Sequence, residues 1–350
     1  MDEITKTRWK VVTVLAGIVI AVHLVLICVF VSNGSSSSEK KEKKPSAAQP
    51  AQTVKKSAPP VYRYFVPSKN PLFGSPLDYS TAFRGNLPAK TVPGSAGARS
   101  GIIVDMDTRR VLWEKNSSRP VPIASMAKMM TMLLVMEQLE KRPQIALNTP
   151  VTVTQTARDV PRTGVLYLAP GEKFTVQELM IATAVKSAND AATLLAEYFG
   201  GNVTTFVAMM NRKAQLLKLR QTSFINPCGL PMNKQNSLGS AANMVLLGEQ
   251  LLQYPVVMQW CNIKSSSIRN GKTVFVNTNK LVNPRYPGVD GMKTGYIRAA
   301  GSCLTFSALR NGRRIMGCVT GFKSSRDRDY FCRRLIDWAY KQPGKVTAKR

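Results

Sequence analysis

The sequence predicts an α+β domain built on an antiparallel sheet, and three observations lead to this fold class. Apolar residues alternate around a polar turn at Asp107 in the stretch SGIIVDMDTRRVLWEKN, which begins at Ser100 and predicts a β-hairpin. The middle of the chain contains segments whose apolar residues recur with helical spacing. Asn-Gly turns flanked by alternating residues then appear at 270–271 and 311–312. Strands that enclose a helical middle are typical of this fold class.

An apolar run at residues 11–32 predicts a transmembrane signal anchor. It is long enough to cross a bilayer and longer than the core of a typical signal peptide. Lys6, Arg8 and Lys10 precede the run, and positive flanks of this kind stay on the cytoplasmic side. We therefore expect residues 1–10 in the cytoplasm, a single helix in the cytoplasmic membrane, and the rest of the chain on the outer face.

Three further regions follow the predicted anchor. Residues 33–96 are rich in Ser, Lys, Pro and Ala, a composition that predicts a disordered linker. The globular domain is expected over residues 97–340, and a basic tail over residues 341–350.

Within the domain, the sequence predicts six helices and a second pair of strands. The helical patterns lie at 125–141, 175–187, 191–199, 203–219, 240–255 and 328–341. Thr175 and Glu178 form a capping box at the start of the second helix. The stretches 300–309 and 313–322 are predicted to pair across the later Asn-Gly turn.

The chain carries a formal net charge of +29 over 350 residues. Such a surface attracts anions, and the candidates are nucleic acid, lipid headgroups and an acidic cell wall. Since the predicted anchor places the domain outside the cell, we expect an anionic wall or lipid surface and no nucleic acid.

The cysteine and histidine content excludes several kinds of site. None of the six Cys forms a C-x-x-C pair, which argues against a zinc site of the usual spacing. Buried free thiols are the favoured interpretation of the five domain cysteines, although pairing among them stays open. The single His is His23, inside the apolar run, so the domain has no residue for Ser-His-Asp, Cys-His or His-metal chemistry. We expect no metal and no cofactor.

A Ser and a Lys lie one helical turn apart at the start of the first predicted helix. Ser125 and Lys128 form an S-x-x-K pattern in IASMAKMMT. Residues i and i+3 share a helix face, and a serine needs a base to accept its proton. A lysine can be that base if burial lowers its pKa, and the neighbouring methionines provide apolar surroundings. Taken alone, the pattern is common, and a solvated surface lysine would be the better interpretation.

Two further segments change that interpretation. KSAND places Ser187 and Asn189 as an S-x-N element, and DGMKTGYIRAAGSC places 293–295 as a K-T-G element at the start of a predicted strand. Each segment alone would be an ordinary polar break or turn. The three elements in this order are the signature of penicillin-binding proteins and class A β-lactamases.

Residues from about Arg99 to Trp338 resemble the D-alanyl-D-alanine carboxypeptidases among the low-molecular-mass penicillin-binding proteins. The matching text includes IASMAKMMT, VKSANDAA, FINPCGL, NTNKLV and VDGMKTGYIRAAGSC. The resemblance implies a helical cluster packed on a five-stranded antiparallel sheet. It also implies serine-type removal of the terminal D-Ala from peptidoglycan stem peptides through an acyl-enzyme, with β-lactams as covalent inhibitors.

The same resemblance implies catalytic roles for four residues. Ser125 corresponds to the acylated nucleophile and Lys128 to its general base. Ser187 corresponds to the hydroxyl that passes a proton towards the leaving amine. Asn189 corresponds to the amide that holds the substrate backbone.

It also implies a set of substrate-binding residues. Lys293 corresponds to a second cation that helps to keep Lys128 neutral and attracts the substrate carboxylate. Thr294 corresponds to a hydroxyl donor to that carboxylate, and Gly295 completes the K-T-G element. The backbone N–H of Tyr296 would share the oxyanion hole with that of the nucleophile.

The carboxylate-binding arginine of the family falls just before its last helix. This position points to Arg328, with Arg326 and Arg298 as rivals. One departure lies close to these motifs, because Cys228 stands where the family usually has His in its NPHGL segment.

Other functions remain open at this point. An endopeptidase that cuts peptide cross-links would carry the same motifs, and so could a non-catalytic wall-binding module that retains the fold. A β-lactamase would need a deacylating carboxylate, and we interpret Glu178, Glu197 and Glu249 as ordinary helix-face residues.

Overall fold

The computed structural model describes residues 64–66, 92–282 and 284–344. Its strands are β1 Ser100–Asp105, β2 Arg110–Lys115, β3 Val121–Pro122, β4 Pro150–Thr152, β5 Lys173–Thr175, β6 Leu238–Gly239, β7 Ser265–Ile268, β8 Thr273–Val276, β9 Val289–Ile297, β10 Gly301–Arg310 and β11 Arg313–Phe322. Its α-helices are α1 Lys128–Lys141, α2 Gln155–Arg158, α3 Val176–Ile181, α4 Asn189–Gly200, α5 Val203–Leu216, α6 Ala241–Leu252, α7 Pro255–Cys261 and α8 Ser325–Lys341.

One five-stranded antiparallel sheet organises the domain, as predicted. Its order is β2-β1-β11-β10-β9, so the first hairpin of the chain pairs with the last strand. Successive residues of β1 face opposite sides of the sheet: Ile102 packs in the core beneath the helices, and Ile103 packs in the core beneath α8. The sheet is therefore buried on both faces at β1, which explains why all six residues of this strand are buried.

The Asn-Gly turns lie where the sequence predicts them. Asn311 and Gly312 both have positive φ, 49° and 77°, and join β10 to β11. This conformation matches the twist of the flanking strands and favours Asn and Gly. Asn270 and Gly271 also have positive φ, 52° and 86°, and lie between β7 and β8. Their loop is longer than the predicted two-residue turn, because Ile268 pairs with Thr273 and residues 269–272 all lie between the strands. The capping box of Thr175 and Glu178 is confirmed at the start of α3.

α1 is the central helix of the larger core. Its residues from Lys128 to Met136 are all buried, so the helix is enclosed on every side rather than amphipathic. Methionines fill much of the space around it, because their unbranched chains adapt to irregular gaps. A lysine at its first turn therefore lies inside the protein.

Part of the predicted linker contacts the domain. The backbone N–H of Phe65 donates to the Glu140 carboxylate at 2.8 Å, and that of Val66 donates to the Gln253 carbonyl at 2.8 Å. The Phe65 ring packs edge-on against Tyr254, with ring centres 5.5 Å apart. The other predictions for residues 1–63 and 67–91, and for the tail beyond residue 344, lie outside the described residues.

The structure contradicts the prediction of a single-pass membrane protein. No helix in the described parts of the chain is long and apolar enough to span a bilayer, so the prediction receives no support. The run at 11–32, on which that prediction depended, lies outside the described residues.

Three element boundaries also differ from the predictions. The K-T-G element lies inside β9 rather than at its start. The helix predicted at 240–255 ends at Leu252, and a further helix that was not predicted, α7, begins at Pro255. The last helix begins at Ser325, so Arg328 lies in its first turn rather than before it.

Candidate active site

A single turn of 3₁₀ helix, Ala124–Ala127, carries Ser125 and leads directly into α1. Ala124 adopts a left-handed conformation with φ 48°, which turns the chain from β3 into the helix. Ser125 and Lys128 then face the same side, with Lys128 Nζ 3.0 Å from Ser125 Oγ. The i, i+3 geometry predicted for this pair is present.

Three oxygen atoms surround the ammonium group of Lys128. Besides Ser125 Oγ, its Nζ donates to Asn189 Oδ1 at 2.6 Å and to the Cys228 carbonyl at 2.7 Å. The side chain is fully buried. Burial lowers the pKa of Lys128 to about 8, against opposing contributions from Cys228 and Asp190. About a tenth of the amine is therefore neutral and able to accept a proton at pH 7.

The S-x-N element lies at the end of a π-helical turn, Ala182–Lys186. Ser187 follows in the left-handed region, with φ 62°. This break in the helix lets α4 restart at Asn189, whose side chain reaches Lys128 on one side and donates to the Thr163 carbonyl at 2.5 Å on the other. Asn189 thus fixes its amide between the base and the loop that walls the cleft.

The K-T-G strand passes close to the turn that carries Ser125. A Cβ added at Gly295 would lie 2.9 Å from the Ile123 carbonyl oxygen and 3.3 Å from the Ala124 Cβ. Only glycine fits this approach without displacing one of the two segments. The contact brings Tyr296, the next residue of β9, beside the nucleophile turn.

The two remaining residues of this element face different surroundings. Lys293 is fully buried, and its Nζ donates to the Thr294 carbonyl at 3.2 Å. Burial, and then the nearby positive charge of Lys128, hold its pKa well below the usual value. Thr294 points its hydroxyl towards that of Thr278, 2.8 Å away. The pKa of Lys128 is likewise lowered by its own burial, which is the largest cause.

Arg328 is buried at the same end of the site. Its Nε and Nη2 donate to Asp329 Oδ1 at 2.8 and 2.7 Å, and its Nη1 donates to the Cys303 carbonyl at 3.1 Å. The guanidinium thus enters the site already paired with a carboxylate. Its rivals do not line the cleft: Arg298 is exposed beyond the end of β9, and Arg326 lines a neighbouring groove.

These groups converge on one cleft of about 260 Å³. Its lining includes seven of the nine residues singled out from the sequence, namely Ser125, Ser187, Asn189, Thr294, Gly295, Tyr296 and Arg328. Lys128 and Lys293 lie buried behind this wall. The Tyr296 side chain is 65% exposed, so its contribution to a bound molecule comes from its backbone and from the rim of the cleft.

Comparison with known proteins identifies the family. A model described as D-alanyl-D-alanine carboxypeptidase, of peptidase family S11, matches residues 88–324. The chain belongs to this carboxypeptidase family. D-alanyl-D-alanine carboxypeptidase DacF of Bacillus subtilis is 37% identical over 248 residues, which cover 70% of this chain and 62% of DacF. The chain thus spans about three fifths of the length of that relative.

Solved structures of family relatives confirm the penicillin-binding-protein fold. Penicillin-binding protein 6B from Escherichia coli is 30% identical with a TM-score of 0.65, over 72% of this chain and 81% of that one. Penicillin-binding protein D2 from Listeria monocytogenes, in its cefotaxime-bound form, is 25% identical with a TM-score of 0.64, over 70% of this chain and 98% of that one.

The three Glu residues that we considered as the deacylating carboxylate of a β-lactamase have structural roles. Glu178 completes the capping box of α3, and Glu197 accepts from the Thr154 hydroxyl at 2.5 Å. Glu249 is fully buried and forms an ion pair with Arg109, so it is not the ordinary helix-face residue expected from the sequence. None of the three lines the cleft.

Sequence reasoning missed the turn that holds Lys128 from behind. The carbonyl of Cys228 accepts from Lys128, and Gly229 lies so close to Ala124 that an added Cβ would overlap its carbonyl oxygen. Asn226 holds this turn by accepting from the Gly229 N–H at 2.7 Å and donating to the Leu230 carbonyl at 2.7 Å. A backbone carbonyl leaves no mark in the sequence, although the FINPCGL match marks the segment that supplies it.

Asp190 was also missed. It is buried beside Asn189 and accepts from the backbone N–H groups of Leu166 and Leu168 at 2.8 and 3.2 Å. It therefore fixes the loop whose Thr163 carbonyl holds Asn189. In the described parts of the chain no cluster of His, Cys, Asp or Glu is suited to a metal ion, and the five cysteines there are free and buried.

Proposed function

We propose that this chain is a serine-type D-Ala-D-Ala carboxypeptidase that removes the terminal D-Ala from peptidoglycan stem peptides. The observation that carries the proposal is the contact between Ser125 Oγ and Lys128 Nζ, at 3.0 Å, with a lysine whose pKa burial lowers to about 8. This pair supplies a nucleophile and a base without a histidine. Family membership and the lining of the cleft agree with this assignment.

Acylation takes place in two steps, attack by the serine and loss of the leaving amine. Ser125 Oγ attacks the carbonyl carbon of the penultimate D-Ala, and its proton passes to neutral Lys128. The carbonyl oxygen becomes an oxyanion, which the backbone N–H groups of Ser125 and Tyr296 stabilise. When the C–N bond breaks, the leaving amine takes a proton from Lys128 through the hydroxyl of Ser187. The terminal D-Ala departs, and an ester links the shortened peptide to Ser125.

Deacylation repeats the same chemistry with water. Neutral Lys128 takes a proton from a water molecule, whose oxygen bonds to the ester carbon. The bond from that carbon to Ser125 Oγ then breaks, and Oγ recovers its proton from Lys128. The products are a shortened stem peptide and free enzyme, so no proton remains in the site.

Carboxylate recognition sets the substrate class. Thr294 and Arg328 both line the cleft, and Thr294 follows the buried Lys293 in β9. We assign these two residues to the terminal carboxylate of the substrate, one residue beyond the scissile bond. A peptide with a free terminal carboxylate matches these donors. β-Lactams, which carry a carboxylate beside a reactive carbonyl, are expected to acylate the same serine. The cefotaxime-bound relative supports this expectation.

The direct test is D-Ala release from a synthetic peptide that ends in D-Ala-D-Ala. The full chain should release one D-Ala per peptide, as measured by mass analysis of both products, and Ser125→Ala should release none above background. An exposed control, Ser118→Ala, should match the wild type. Release by Ser125→Ala would contradict the assignment. Cleavage of a cross-linked peptide dimer in preference to the monomer would favour the endopeptidase function instead.

A further inference from the structure

Lys186 has no role in the mechanism above, yet it lines the catalytic cleft. It is the last residue of the π-helical turn, and it precedes Ser187. Thr278, Thr294 and Arg328 contribute to the same cleft, at the end assigned to the substrate carboxylate. Lys186 is half-buried there.

Backbone contacts fix Lys186 beside this end. The carbonyl of Val185 accepts from the backbone N–H of Thr278 at 3.0 Å. The hydroxyl of Thr278 in turn lies 2.8 Å from that of Thr294. Lys186 therefore directly follows Val185, which is hydrogen-bonded to Thr278, and Thr278 is hydrogen-bonded to the carboxylate-binding Thr294. Its flexible four-carbon stem gives the ammonium group the reach to meet a ligand held there.

The other cations of this end are committed to the protein. Arg328 is paired with Asp329, so the two together bring almost no net charge. Lys293 is fully buried and directs its Nζ to a backbone carbonyl, and its lowered pKa favours the neutral amine. Lys186 makes no side-chain hydrogen bond or ion pair to any other part of the chain that the structure describes.

We propose that Lys186 supplies the net positive charge that binds the terminal carboxylate of the substrate, while Thr294 and Arg328 orient that carboxylate. The inference rests on the proposed function and names a further binding residue of the same site. Its chemistry is a charge-assisted hydrogen bond from an ammonium group to a carboxylate, made only when a ligand is present. The lysine thereby favours acids over amides at this position.

The test compares an acid with its uncharged analogue. We would measure kcat/KM of the full chain for a peptide ending in D-Ala-D-Ala and for the same peptide with a terminal amide. Lys186→Ala should lower the value for the acid by about tenfold, the low end for a charged hydrogen bond because the lysine is half-exposed. It should leave the value for the amide within about twofold, and Lys186→Arg should recover most of the loss.

Controls separate this inference from other effects. Lys141→Ala removes the same charge at the other end of α1, about 20 Å from Lys128 along the helix, and should leave both values unchanged. If the amide reacts too slowly, acylation rates with benzylpenicillin and its methyl ester give the same comparison. Equal losses for the acid and the neutral compound, or no loss for either, would overturn the role of Lys186. Activity that survives Ser125→Ala would instead overturn the proposed function.

Discussion

The rate of Ser125 acylation should follow the ionisation of Lys128, with a midpoint near pH 8. Burial lowers the pKa of this lysine from the usual 10.5 to about 8. That difference corresponds to about 3 kcal/mol in favour of the neutral amine. At pH 7 about 9% of the side chains would be neutral, against about 0.03% for an exposed lysine. Burial thus raises the concentration of usable base by roughly 300-fold at neutral pH.

The sign of the dependence follows from the role of Lys128 as a base. Its deprotonated form accepts the serine proton, so acylation should be slow below the pKa and should rise as the pH increases. Between pH 6 and pH 8 the rate should increase by roughly 50-fold, and between pH 8 and pH 9 by no more than about twofold. If the lysine kept its usual pKa, the acylation rate would rise about tenfold for every pH unit across this whole range.

The assay is the second-order rate of benzylpenicillin acylation, followed by intact mass from pH 6 to pH 9.5. Lys128→Arg should be slower by a factor of about 10² to 10⁴ and should show no plateau, because a guanidinium stays protonated across this range. A tenfold rise per pH unit that continues to pH 9.5, or a flat profile from pH 6, would show that burial does not lower the pKa of Lys128 to about 8.

Two further predictions concern the residues around the base. Gly295→Ala should slow acylation by at least tenfold and lower the free energy of unfolding by about 1–3 kcal/mol, because the added Cβ would press on the Ile123 carbonyl. If the variant kept the acylation rate and the thermal stability of the wild type, β9 would not pass as close to Ile123 as the structure shows. Arg328→Ala should lower the free energy of unfolding by about 1–3 kcal/mol, since it removes the two hydrogen bonds that Asp329 Oδ1 accepts from the guanidinium. Denaturant titration should show partial recovery in the double variant with Asp329→Ala, and an additive loss would exclude the pair.

Local sequence signals predicted the elements whose geometry depends on neighbouring residues. The Asn311-Gly312 turn forms where expected because both of its residues need positive φ, which Asn and Gly tolerate. The S-x-x-K spacing likewise sets Ser125 and Lys128 on one face, since three residues make about one helical turn. In these cases the short-range chemistry decides the structure.

Long-range contacts could not be predicted in the same way. The pairing of β1 with β11 joins residues separated by more than 200 positions, such as Ser100 and Thr320, and no local pattern encodes it. The pairing of Arg328 with Asp329 was also not predicted, although the two residues are adjacent in sequence. Arg328 was interpreted only as a ligand of the substrate, and a buried arginine also needs a carboxylate partner within the protein. The carbonyl of Cys228 behind Lys128 belongs to the backbone, which every residue type shares.

The central claim is that Ser125 is the nucleophile activated by Lys128, and one measurement tests it most directly. The full chain and its Ser125→Ala variant would be incubated with benzylpenicillin and weighed intact. We expect one covalent adduct with the mass of the whole penicillin on the wild-type chain, located at Ser125 by peptide mapping, and none on the variant. An adduct that persists on Ser125→Ala would show that Ser125 is not the nucleophile.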